Sequence, residues 1–367
     1  MRPYEPATLP LENLDYQMLF SVVGNANAEL ARYDGLLQGI VNPSVMLSPL
    51  TNEEAVLSSK IEGTQATVDE VLEQEAGLLK EGEKFKDIQE IVNYREALRS
   101  AHYYLEERPL SLSFVKELHK VLLNSVRGQD KTPGEFRKDQ NWIGRAGCSM
   151  DQASFVPPSP LQLQTYLEAW QKYVESNDID LLLQAAVMHA QFELLHPFKD
   201  GNGRIGRILI PLFLYQKKKL SQPMFYLSAY LENHREEYYQ RLKSISQDGD
   251  WNGWIVFFLQ AITEQAKLNS LKVKAIMGLY ADMKSTIYDI THSQYTIHLL
   301  DAVFDRPIFD TTDFITRSKI NKKTAMALLK QLKDQNILSV LREGSGRKAS
   351  VLCFPKLLNI AEGKEII

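Results

Sequence analysis

Cysteine is almost absent from this sequence. Cys148 and Cys353 stand far apart, which excludes a disulfide framework and points to a reduced interior, so the cytoplasm is the expected location. No apolar run reaches the roughly 18 residues that a membrane-spanning helix needs. The start, MRPYEPATLPLENLDY, lacks the basic-then-apolar pattern of a secretory signal, so no membrane partner is expected. Basic charge is not in excess either. A formal net charge of −4 excludes a uniformly basic nucleic-acid binder while leaving room for a local patch. Repeats and low-complexity tracts are absent. What remains is ordinary globular material, 44 % hydrophobic and 24 % charged over 367 residues, enough for two or three domains.

After a proline-bearing arm the apolar spacing turns helical through Leu19, Val22, Val23, Leu30, Tyr33 and Leu36. Thr51 followed by Glu54 reads as a capping box opening a short helix that Gly63 stops. Further helices are predicted over 86–106, 111–126, 162–175, 180–195, 204–218, 231–246 and 251–262, with a long amphipathic one through 263–285. Residues 132–160 read differently, as a hairpin and loop.

The informative stretch is His196-Pro197-Phe198-Lys199-Asp200-Gly201-Asn202-Gly203-Arg204-Ile205-Gly206-Arg207, a polar island between two apolar helical runs. Pro197 biases His196 away from helical geometry, leaving its imidazole at the mouth of a loop. Gly201 and Gly203 permit turns that aim backbone N–H groups inward just before a helix N-terminus, which makes a phosphate cradle. Arg204 and Arg207 share a helix face and can reach one polyphosphate. Asp200 offers Mg²⁺ a hard oxygen ligand, and Phe198 is expected to anchor the loop. Base, metal ligand and cradle together indicate transfer of a phosphorus-containing group to a nucleophile. Other histidines, His119, His189, His234, His292 and His298, read as packed or surface residues. Glu193-x-x-His196 has di-iron bundle spacing, but no second copy of that motif occurs.

These residues resemble the Fic family signature, H-x-F-x-[D/E]-G-N-G-R-x-x-R, at every defining position. The resemblance implies a mainly α fold, a Fic helical core with a short β-hairpin flap, and AMP transfer from ATP to a Ser, Thr or Tyr hydroxyl of a protein. It makes His196 the general base and Asp200 the Mg²⁺ ligand. Gly201, Asn202, Gly203, Arg204, Gly206 and Arg207 would bind the nucleotide, and glycine rather than lysine at 203 favours AMP over phosphate transfer. Trp142-Ile143-Gly144 resembles the flap that aligns a target peptide by strand addition. Tyr238 and Tyr239 would border the adenine and ribose.

Ser58 and Glu62, four apart on one helix face and followed by Gly63, match the family's inhibitory pattern, [S/T]-x-x-x-E-[G/N]. The resemblance then implies a pair between Glu62 and Arg207 that takes the place of the γ-phosphate. It divides the chain into an N-terminal helical region over 1–109 with an inhibitory helix at about 51–63, a catalytic core with a connecting helix over 110–285, and a last domain over 286–367.

That last domain changes character. Residues 315–356 hold ten Lys or Arg against two acids. Asn321 can cap a helix with Ala325, Leu328, Leu329 and Leu332 inward, and Ile337–Leu341 and Ala349–Phe354 read as a hairpin wing. This resembles a winged helix-turn-helix with Lys322, Lys323 and Thr324 at the groove-facing end. Such a module contacts DNA or docks protein, a second copy of this chain included, and the residues leave both open. A DNA-binding regulator whose Fic domain senses nucleotide is therefore the alternative to an enzyme.

Overall fold

The computed structural model describes residues 2–78, 84–124, 131–145, 147–346 and 348–363. The chain forms two compact units, one of Met1–Asp34, Leu57–Thr64 and Val92–Lys267, the other of Gly35–Val56, Gln65–Ile91 and Leu268–Ile367. Helices dominate, and no helix among the described residues is long and apolar enough to cross a membrane. In chain order they begin with α1 (Tyr16–Gln38), α2 (Pro43–Met46), α3 (Ser48–Ile61), α4 (Val68–Glu75), α5 (Phe85–Glu107) and α6 (Leu112–Leu122). Then follow α7 (Pro160–Glu175), α8 (Leu181–Leu195), α9 (Asn202–Gln216), α10 (Ser228–Asn233), α11 (Arg235–Asp248) and α12 (Trp251–Thr291).

The first unit is built around α8. Its sequence, LLLQAAVMHAQFELL, is apolar on every side, and a helix of that kind is stable only when surrounded. It packs against α7, α9 and α11. Asp180 caps its start, accepting from the amides of Leu182 at 2.8 Å and Leu183 at 3.2 Å. Indole N–H groups of Trp170 and Trp254 each donate at 2.9 Å to carbonyls of α8, Met188 and Ala186. The glycine-rich loop is thereby mounted on the most enclosed helix of the unit.

The second unit adds α13 (Thr296–Asp305), α14 (Thr311–Ser318), α15 (Lys322–Asp334), α16 (Pro355–Glu362) and a sheet of β1 (Ile308–Asp310), β2 (Ser339–Arg342) and β3 (Val351–Cys353). The strand order is β1-β3-β2, antiparallel throughout, with Ile308 and Ser339 both paired to Cys353 and a bulge between Val340 and Arg342. Asn321 caps α15, its Oδ1 accepting from the Thr324 amide at 3.0 Å, so Lys322, Lys323 and Thr324 form the first turn. Ala325, Leu328, Leu329 and Leu332 are buried as expected.

Four local expectations are corrected. The Thr51–Glu54 capping box does not exist: α3 already begins at Ser48 with Pro49 in its first turn, and the Thr51 hydroxyl bonds back to the Leu47 carbonyl. The same sequence pattern does form a capping box at Thr67 and Glu70, opening α4. The helices placed over 251–262 and 263–285 are one helix, α12, because nothing at 262–263 can break it. The hairpin in 132–160 shrinks to an isolated bridge between Ile143 and Phe155. Pro157 and Pro158 follow directly, and proline cannot donate to a ladder. The helix expected over 111–126 ends at Leu122, residues 125 and 126 lying outside the described residues.

Candidate active site at the glycine-rich loop

His196 ends α8 in a left-handed conformation, φ 47° and ψ 58°, with its amide donating to the Phe192 carbonyl at 3.1 Å. That turn aims the ring back along the helix. Nδ1 lies 3.4 Å from the Glu193 carbonyl, an acceptor, so Nδ1 carries the proton and Nε2 keeps its lone pair for an incoming proton. Burial pulls the imidazole down to about 4, the neighbouring Arg137 charge acting in the same direction. At neutral pH it is therefore an uncharged base.

The loop beyond it is held from inside. Phe198 is fully buried, stacked on the His119 ring at 3.7 Å and 7° and tilted against Phe136 at 5.1 Å. Asn202 closes a ring over it, Oδ1 accepting from the Phe198 amide at 2.8 Å and Nδ2 donating to the Phe198 carbonyl at 2.9 Å. Gly201 adopts φ 78°, and a Cβ there would come within 3.2 Å of Leu122. His119 Nδ1 accepts from the Gly134 amide at 2.9 Å, so Nε2 donates to the Asp200 carbonyl at 3.0 Å. Burial holds His119 near 4, which keeps that tautomer through neutral pH. Nothing local in the sequence marks His119, whose partners are distant in the chain. Replacing Phe198 by alanine is expected to cost about 3–5 kcal/mol of stability, checked by urea unfolding against wild type.

The Asp200 side chain is 46 % exposed, its Oδ1 accepting from the Gly201 amide at 2.6 Å and from Arg204 at 3.3 Å. Among the described residues no three His, Cys, Asp or Glu side chains gather as a cation cage. One solvent-facing carboxylate suits Mg²⁺, which keeps waters and arrives with phosphate oxygens rather than needing an all-protein shell.

Arg207 is buried and bonded to the end of α3. Its Nε donates to the Ser58 hydroxyl at 2.7 Å, and one terminal nitrogen donates to the Ser58 carbonyl at 2.9 Å and to the Glu62 carboxylate at 2.7 Å. Burial works against the Arg207 charge, but the Glu62 carboxylate holds its pKa well above the ordinary value. The pair is asymmetric: the Arg207 side chain is 1 % exposed and that of Glu62 33 %. Gly203 makes room for the carboxylate, since a Cβ there would lie 2.2 Å from Glu62 Oε1. Gly63 follows at φ 105°.

Gly206 serves packing between α8 and α9: a Cβ would meet Glu193 Oε1 at 2.1 Å, and its carbonyl accepts from His189 at 3.1 Å. Burial pushes the Glu193 carboxyl up to about 8, against the opposing pull of Arg207. Tyr238 is buried, its hydroxyl 3.0 Å from His189 Nε2, whereas Tyr239 is 43 % exposed and donates to the Ile61 carbonyl at 3.4 Å. Of the tyrosine pair, Tyr239 is the one with surface to offer a ligand. His189 is packed, one of the two settings expected for it.

Trp142 and Ile143 stand half-exposed at the flap, Ile143 exchanging bonds with Phe155 and the Trp142 indole donating to the Cys148 carbonyl at 2.9 Å. At Gly144 a Cβ would meet the Cys148 sulfur at 2.6 Å and the Ala153 Cα at 3.3 Å, so any larger residue there would have to displace the Cys148 side chain.

Residues 20–102 match the family model described as Fic/DOC family N-terminal, and residues 109–214 match Fic/DOC family, together just over half of the chain. A probable protein adenylyltransferase of Aquifex aeolicus is 27 % identical over 196 residues, covering 52 % of this chain and 56 % of the relative. A protein adenylyltransferase of Caenorhabditis elegans is 28 % identical over 146 residues, covering 38 % and 27 %. The chain thus spans about half or less of the length of the curated relatives it matches. A Fic family protein from Desulfovibrio desulfuricans G20 superposes with a TM-score of 0.58 at 17 % identity, over 96 % of this chain and 98 % of that one. A Fic domain containing signaling protein from Bacteroides thetaiotaomicron does so at 0.50 and 19 %, over 71 % and 96 %.

Proposed function

We propose, from the premise that this chain belongs to the Fic/DOC family, that it transfers AMP from Mg-ATP to a Ser, Thr or Tyr hydroxyl of a protein. The observation that carries the reading is one loop: a neutral imidazole with an open Nε2 stands beside a left-handed glycine turn, an exposed carboxylate and two helix-face arginines. The curated relatives named as protein adenylyltransferases support the same chemistry. His196 Nε2 takes the proton of the target hydroxyl as that oxygen bonds to the α-phosphorus. The bond from the α-phosphorus to the bridging oxygen breaks, and pyrophosphate leaves. Asp200 would hold Mg²⁺, which neutralises phosphate charge when bound. Trp142, Ile143 and Gly144 would lay the target segment along the flap.

Two labels test the reaction. ATP labelled at the α-phosphate is expected to label protein, and ATP labelled at the γ-phosphate is not; the reverse pattern would make this a kinase-type phosphoryl transfer. With Glu62→Gly in both proteins, so that the guanidinium is free, Arg207→Ala is expected to reduce the preference for ATP over ADP by about tenfold or more, measured by nucleotide titration, since a charge-assisted contact to the γ-phosphate contributes about 1.5–3 kcal/mol. Equal preference in both proteins would remove the γ-phosphate role.

A second reading, a DNA-binding regulator, draws on the second unit. There α14, α15 and the β2–β3 pair have the order of a winged helix-turn-helix, and Lys322 and Lys323 are exposed in the first turn of α15. Its basic charge is partly offset, because Arg317 pairs with Asp305 and Asp313. Salt-sensitive, sequence-selective DNA binding without AMP transfer would favour it.

A further inference from the structure

Arg137 is a buried cation whose guanidinium, among the described residues, donates only to backbone carbonyls and to no carboxylate. Nε donates to the His196 carbonyl at 2.9 Å, one terminal nitrogen to the Pro158 carbonyl at 2.6 Å and the Leu195 carbonyl at 3.4 Å, and the other to the Asp139 carbonyl at 3.4 Å. Its own amide donates to the Pro197 carbonyl at 2.9 Å. Burying an unpaired guanidinium is expensive, and here burial drags its pKa down to about 10. What compensates is the negative end of α8, whose last carbonyls have no helical partner.

That arrangement does more than cap a helix. The carbonyl it grips belongs to His196 itself, a non-glycine residue held at φ 47°, a strained conformation that persists only where neighbours impose it. The Pro158 and Asp139 carbonyls on the same fork lie on the segment that carries the flap. A single planar group therefore spans the turn that presents the imidazole and the base of the flap.

We propose that Arg137 is a positioning residue for His196: its fork fixes the left-handed turn that points Nε2 outward and locks that turn to the flap on which the target segment lies. The proposal rests on His196 being the general base. Lysine cannot replace this arginine, because an ammonium is a point charge and cannot span the Pro158 and His196 carbonyls in one plane.

The experiment compares Arg137→Gln and Arg137→Lys with wild type in the full chain, carrying Glu62→Gly in each case so that turnover is measurable. Both are expected to lower kcat for AMP transfer by about ten- to a hundredfold while KM for Mg-ATP stays within about twofold, and ethylguanidinium added to Arg137→Gly is expected to restore part of kcat. Independently of turnover, ¹⁵N spectra of the ring are expected to show a single Nδ1–H tautomer at His196 in wild type and a mixture in Arg137→Gln. An unchanged kcat or an unchanged tautomer in a folded variant overturns the proposal. So does loss of fold in all three Arg137 variants, seen by circular dichroism, which would assign Arg137 to stability alone. Retained transfer in His196→Ala, with the tautomer still dependent on Arg137, would instead break the general-base reading and leave the positioning contact intact.

Discussion

Replacing His196 by alanine lowers the rate of AMP transfer by about a hundred- to ten-thousandfold, the usual cost of losing a general base, while Mg-ATP binds almost as before. The separation follows from geometry. The imidazole bonds to the Glu193 carbonyl and holds nothing in the cradle, whose shape depends on Asn202, Phe198 and His119. Burial keeps the ring uncharged well below neutral pH, to about 4, so the base form is already present and the rate does not fall through the range where a free imidazole would protonate. The checks are nucleotide titration beside labelled-AMP incorporation, and initial rates between about pH 5 and 8. A decline in rate centred near the free-imidazole value of about 6.5 would mean that His196 is solvated rather than enclosed.

Removing Glu62 works in the opposite direction. The Glu62 carboxylate is paired with the Arg207 guanidinium, which in the proposed reading would bind the γ-phosphate, and two anions cannot share that fork. A hydrogen bond to a charged group contributes about 1.5–3 kcal/mol. At about 1.4 kcal/mol per tenfold, the competent state is then roughly one part in ten to one in a hundred, and productive ATP affinity is lowered in proportion. Glu62→Gly is therefore expected to raise transfer by about ten- to a hundredfold, onto this protein's own hydroxyls as well. The same change deprives buried Arg207 of its carboxylate, so thermal stability should fall while activity rises, a combination that general destabilisation does not produce. Glu62→Gln separates charge from size: a rise in both variants assigns the effect to charge, and a rise in glycine alone assigns it to the shape of the helix end. Rates at or below wild type in both would make Glu62 an ordinary helix terminus.

Much of this site is legible in the sequence because its parts are neighbours along the chain. His196 to Arg207 is one loop and the first turns of one helix, and Ser58 with Glu62 needs only helical spacing to share a face. The supporting residues are different. His119 and Arg137 meet the loop from 81 and 59 residues away, and no periodicity encodes such a meeting. Asn202 also shows the difference between a motif and its geometry: its side chain is committed to the Phe198 backbone, so within the motif it shapes the cradle. Thr51 and Glu54 have the spacing of a capping box inside a helix that has already started, where a Thr hydroxyl bonds to the carbonyl four residues back. The flap falls short of a hairpin because its second arm runs into two prolines. The apolar pattern of α12 continues past 262 without a breaker, so a division there has no physical cause.

The central claim is that His196 is the base and Glu62 the brake on one AMP-transferring site. Intact-mass measurement after incubation with Mg-ATP tests it most directly, comparing Glu62→Gly with the Glu62→Gly, His196→Ala double variant. The account predicts added AMP mass on Glu62→Gly and none on the double variant; AMP added equally to both would contradict it.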